Sequence, residues 1–196
     1  MSNAERIVSV LDGLLDHEVP LVIYGRGAIA LGFLEPPDWT TRSLDVDVIL
    51  RHSHTAVLDA DDQFWEAQST VNAQLDREGL YMTHLFGEHQ VFLRRQWEGE
   101  IVPVLRPPLR FLRLSRPATL DLLLTKMMRG NDPQDMDDID FLIRHDRLST
   151  PQIEGAFRDA VIPDSQELRD AYDRARPTVL ALAANAAADA FHLPHR

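Results

Sequence analysis

The segment Leu44-Asp45-Val46-Asp47-Val48-Ile49-Leu50 constrains the fold more than any other part of the chain. Its alternation reads as a β-strand, with Leu44, Val46, Val48 and Leu50 on one face. Asp45 and Asp47 then share the other face. Aspartate is disfavoured in strands, and neighbouring carboxylates repel unless a proton or a cation relieves them. Two carboxylates at this spacing suit a shared hard divalent cation. The plainer alternative is the exposed face of an edge strand.

The flanking pattern is mixed. Residues 4–16 place Ile7, Val8, Leu11, Leu14 and Leu15 at helical spacing. Leu21-Val22-Ile23-Tyr24 reads as a short buried strand running into Gly25-Arg26-Gly27. A helix is expected directly after those glycines, over residues 28–34. A strand ending in a glycine turn that opens a helix is an anion site in outline, because backbone N–H groups face outward there and glycine permits close approach. Residues 61–77 are helical in composition, and the runs 80–86 and 89–95 look like an antiparallel pair around Gly87-Glu88. Residues 101–105 and 109–114 add short strands.

From Pro117 onward the pattern is helical. Residues 117–129 form one helix closed by Gly130-Asn131, and Asp132 caps a second with Pro133 at its first position. Two more helices are expected over residues 150–160 and 165–191. The fold class is therefore α/β (α+β): a mixed sheet flanked by helices, followed by a C-terminal helical part. Residues 1–116 form the α/β core and 117–196 the helical region, expected to pack as one compact unit.

Lys126 and Arg129 share a helix face at i, i+3 spacing. Lys126 is the only lysine in a chain with 19 arginines, and its compact ammonium suits a phosphate oxygen. On the next helix, Asp135 and Asp138 share a face. They suit the helix N-terminus and pairing with Lys126, Arg129 or Arg144, with a direct metal role as the alternative. His52 and His54 could ligate a metal with His84 or His89, but scattered surface histidines are the simpler reading.

Composition narrows the function. The 196-residue chain carries a net charge of −11, which opposes sequence-independent binding to nucleic acid, so no DNA duplex is expected as a partner. Between Arg94 and Arg129, however, eight basic residues meet only three acidic ones, Glu98, Glu100 and Asp121. That local excess suits a small anionic ligand. Cysteine is absent, which removes disulfides and thiolate metal sites. No membrane span or signal-peptide pattern is present, so a cytoplasmic protein is expected.

Three blocks in order resemble the DNA-polymerase-beta-like nucleotidyltransferase superfamily, in particular small bacterial members akin to abortive-infection toxin nucleotidyltransferases. The blocks are Gly25-Arg26-Gly27-Ala28, Ser43-Leu44-Asp45-Val46-Asp47, and the Lys126/Arg129 helix followed by Asp135 and Asp138. The resemblance implies a metal-dependent transfer of an NMP from an NTP to a hydroxyl, and a protein side chain or an RNA end is the expected acceptor. It implies that Asp45 and Asp47 hold Mg2+ (or Mn2+) and act as the catalytic carboxylates. Gly25, Arg26, Gly27, Ser43, Lys126 and Arg129 would bind the nucleotide. The chain departs from the family at Arg26, where a second glycine or serine is usual, and in its third carboxylate. Glu88, Glu98 and Glu100 are the acidic residues nearby, and none stands in a well-formed strand. These departures suit an alternative: a catalytically degenerate binding or interaction module with a partner protein, as in a toxin–antitoxin pair.

Overall fold

Ser2 opens the first helix with a reciprocal cap. Its hydroxyl accepts from the Glu5 N–H while the Glu5 carboxylate accepts from the Ser2 N–H, satisfying two otherwise orphaned donors. In the computed structural model, which describes residues 1–192, helix α1 (Asn3–Leu14) is followed by β1 (Val19–Tyr24), α2 (Gly25–Gly32), α3 (Asp38–Thr41) and β2 (Asp45–Leu50). Then come α4 (His52–Asp59), α5 (Asp62–Leu75), β3 (Tyr81–Gly87), β4 (Leu93–Arg94), β5 (Val102–Pro103) and β6 (Leu112–Arg116). The chain ends with α6 (Thr119–Lys126), α7 (Pro133–Asp146), α8 (Thr150–Asp159), β7 (Ala160–Val161) and α9 (Gln166–His192). The mixed α/β class and the helical C-terminal part expected from the sequence are both present. No helix among the described residues is long and apolar enough to cross a membrane.

The chain divides into two compact units. The first comprises Met1–Glu88 and Glu98–Pro117, and the second His89–Trp97 and the residues from Ala118 onward. In the first unit a five-stranded sheet runs in the order β3-β2-β1-β6-β5. Strands β1 and β2 are antiparallel, while β1/β6 and β2/β3 are parallel. Ile7, Val8, Leu11, Ile23, Val46, Val48 and Phe64 are fully or almost fully removed from solvent and form its core. Asp12, at the end of α1, accepts the backbone N–H groups of Arg110, Phe111 and Leu112 at 2.8, 2.7 and 2.8 Å. Burial works against its charge, but these three donors and the nearby Arg113 outweigh it and hold the carboxyl below its usual range.

The expected hairpin around Gly87-Glu88 is not formed. Strand β3 instead pairs parallel with β2, and β4 belongs to the second unit, where it pairs antiparallel with β7. The reason is a side chain distant in sequence. The fully buried Asp121 carboxylate accepts from the Arg94 backbone N–H at 2.8 Å and from its guanidinium at 2.6 Å. A two-pronged, charge-assisted grip of this kind outweighs a local turn preference. Elsewhere in the second unit, Asp132 caps α7 as expected, accepting from the N–H groups of Gln134 and Asp135. Gly130, at φ +68°, ends the preceding 3₁₀ turn. The Tyr172 hydroxyl of α9 donates to the Phe157 carbonyl, and Phe92 and Phe157 meet the Tyr172 ring edge-on.

Candidate functional site: a glycine turn on a paired-carboxylate strand

Register brings the first two sequence blocks together. Tyr24, the last residue of β1, pairs with Asp47 of β2, and laterally paired residues share a face of the sheet. Asp45, two residues from Asp47, lies on that face too. Immediately beyond Tyr24 the chain turns at Gly25, which adopts φ +66° and becomes the first residue of α2. A Cβ at Gly25 would stand only 3.0 Å from Asp47 Oδ2, so the backbone of the turn lies directly against this carboxylate. Gly27 brings α2 onto the strand: a Cβ there would meet the Val46 side chain at 3.5 Å and the Asp45 carbonyl at 3.6 Å. Tyr24, the N-cap residue of α2, makes no side-chain capping hydrogen bond.

Asp45 and Asp47 are half-buried. The Ser43 hydroxyl donates to Asp45 Oδ1 at 2.9 Å and so fixes the rotamer of the first carboxylate. Arg26, half-buried, occupies the second position of α2. Two tyrosines that the motifs did not assign to the site border the pair. Tyr24 is one, and burial first, then the charges of Asp47 and Asp45, push its hydroxyl far above the usual phenol range. It therefore stays a neutral hydrogen-bond donor. Tyr81 is the other, standing opposite Asp45 in the β2/β3 register and exposed at the sheet edge. An aromatic residue directly before a glycine turn was the available signal for Tyr24, but only the antiparallel register ties it to Asp47.

The three acidic residues near the β3 region fall elsewhere. A register shift leaves the backbone of Thr83 and His84 opposite Asp47, whereas Glu88 follows Gly87, the partner of Leu50. Glu88 is thus about four residues, on the order of 13 Å of strand, beyond the Asp47 level. There it neighbours Glu98. Burial chiefly, and the Glu98 charge, push the Glu88 carboxyl upward against the His52 backbone N–H that hydrogen-bonds it. Glu100 precedes β5, which is separated from β2 by β1 and β6. Among the described residues no group of three or more His, Asp or Glu is arranged to hold a metal ion. His52 and His89 are exposed, His54 contacts Arg51, and the His84 side chain lies outside the described residues.

Lys126 and Arg129 lie in the second unit. Lys126 Nζ is 2.8 Å from Asp138 and 3.2 Å from Asp135, and Arg129 Nε is 2.6 Å from Asp135. The pairing of these helix faces, expected from their spacing, is present. Asp138 and Asp135 are almost wholly buried, as is Lys126, while Arg129 keeps more than half of its side chain exposed.

Comparison of this chain with protein-family models, curated proteins and solved structures finds no match to any of them.

Proposed function

We propose that the first unit binds a nucleoside triphosphate with Mg2+ (or Mn2+) and transfers its NMP to a hydroxyl of a protein or RNA acceptor. The observation that supports this reading most strongly is the contact of the Gly25 turn with the Asp47 carboxylate. It puts an anion-accepting turn and a cation-accepting pair within one ligand's reach. Mg2+ is commonly held by one or two carboxylates together with substrate phosphates, keeping several waters. The donor set of Asp45 and Asp47 fits an ion that arrives with the triphosphate. When bound, that ion would neutralise charge on the phosphates as the leaving group departs.

The chain's own residues have separate tasks. Asp45 and Asp47 hold the cation, Ser43 orients Asp45, and the Gly25–Arg26–Gly27 turn receives phosphate oxygens. Tyr24, kept protonated, donates a hydrogen bond on the same face. The activity is a cytoplasmic one in this reading, and it requires neither a DNA duplex nor a membrane. The distance of Glu88 and Glu98 from the pair favours the second reading, a module that binds nucleotide or a partner protein without catalysis.

Incubation with α-labelled NTPs, Mg2+ or Mn2+ and a cell extract separates the two. Transfer predicts label in an acceptor, reduced at least about a hundredfold in Asp45→Asn/Asp47→Asn. Nucleotide binding without label under either metal supports the degenerate module. Absence of both labelling and binding contradicts the site altogether.

A further inference from the structure

A cavity lies at the end of β2 remote from Asp45. It encloses about 220 Å3 between the start of β1, the end of β2 and α4. Its walls include Leu21, Ile49 and Leu58, all nearly inaccessible to solvent, and its rim carries Val57, an aliphatic side chain that is 74% exposed. Such a volume is below the roughly 300–1,000 Å3 of pockets that hold drug-sized ligands. It suits a single ring or a short branched chain.

The charges around this cavity are balanced with one exception. Glu18 is paired with Arg113. Asp61 accepts from the Phe64 N–H and lies 2.8 Å from His17 Nε2, while Asp16 lies 3.0 Å from His17 Nδ1. Those two aspartates, Asp16 first, push His17 above its ordinary range, and each has its ring as a partner. Arg51 differs. Its guanidinium sits 2.6 Å from His54 Nδ1 and 3.1 Å from Nε2, and among the described residues no carboxylate forms an ion pair with it. A half-buried arginine with a planar fork and no anion, on the wall of an apolar cavity, is complementary to a ligand carboxylate.

We propose that this cavity binds a small monocarboxylic acid, its carboxylate on Arg51 and its ring or branched chain between Leu21, Ile49 and Leu58. The proposal is independent of the Asp45/Asp47 reading, since it uses none of those residues.

NMR titration of the full chain with phenylacetate and with phenylacetamide tests it. The two probes match in size and differ in charge. Saturable shifts of the His54 ring and of the Val57 and Leu58 methyl groups are expected with phenylacetate. The amide should bind roughly tenfold or more weakly, the difference of one charge-assisted hydrogen bond. Arg51→Gln should reduce the acid to the amide's affinity. Val57→Asp, a change at the exposed rim, should weaken the acid selectively and decides the matter if Arg51→Gln does not fold. No saturable shift with either probe, equal affinity for both, or acid binding unchanged in the variants would overturn the proposal.

Discussion

Asp138→Ala is expected to lower the unfolding free energy by about 3–5 kcal/mol, the usual cost of removing one member of a buried ion pair. Asp138 is wholly buried, and Lys126, its 2.8 Å partner, is only 10% exposed at the side chain. Removing the carboxylate leaves an ammonium in a poorly solvated place, with Asp135 at 3.2 Å shared with Arg129. Urea titration followed by circular dichroism reads the loss as a lowered midpoint. Asp140→Ala is the control. Asp140 pairs with Arg144 at the surface, where such contacts contribute about 0–1 kcal/mol. Equal losses in the two variants would mean that the buried cluster carries no special weight.

Gly25→Ala is expected to cost about 1–2 kcal/mol from backbone conformation alone, because its φ of +66° is unfavourable for a residue with a Cβ. The larger effect falls on the site. The new methyl would stand 3.0 Å from Asp47 Oδ2, so the carboxylate must move and metal-dependent nucleotide binding should be lost. Gly27→Ala is the informative contrast. It has no positive φ, and its Cβ would make ordinary contact with Val46 at 3.5 Å. Stability there should stay level or rise by up to about 1 kcal/mol, as for glycine to alanine within a helix. Parallel thermal melts and nucleotide titrations distinguish the two. Comparable loss of binding in both variants would point to the bulk of α2 rather than to the Gly25–Asp47 contact.

Local signals account for much of what the sequence revealed. The strand over Asp45 and Asp47 and the Asp132–Pro133 helix start follow from periodicity and capping within a few residues, and the pairing of Lys126 with the aspartates of α7 from the charged faces of two successive helices. Partner choice between strands did not. The run after Gly87 resembles the second arm of a hairpin, yet Arg94 is held by Asp121, 27 residues further on. Helix α4 was missed because it buries only Leu58 and so shows no apolar stripe. Tyr24 was missed for a different reason: its approach to Asp47 depends on an antiparallel register that spacing alone does not specify. The parallel β2/β3 register, equally unspecified by spacing, separates Glu88 from the carboxylate pair, although in sequence it looked like a neighbour of the site.

Calorimetric titration of nucleoside triphosphates, with Mg2+ and with EDTA, into the wild type and Asp45→Asn/Asp47→Asn tests the site most directly. The proposed site predicts binding by the wild type that requires Mg2+ and disappears in a variant whose melting temperature is undiminished. Binding that survives EDTA and is unchanged in the variant, or no binding by the wild type at all, would contradict it.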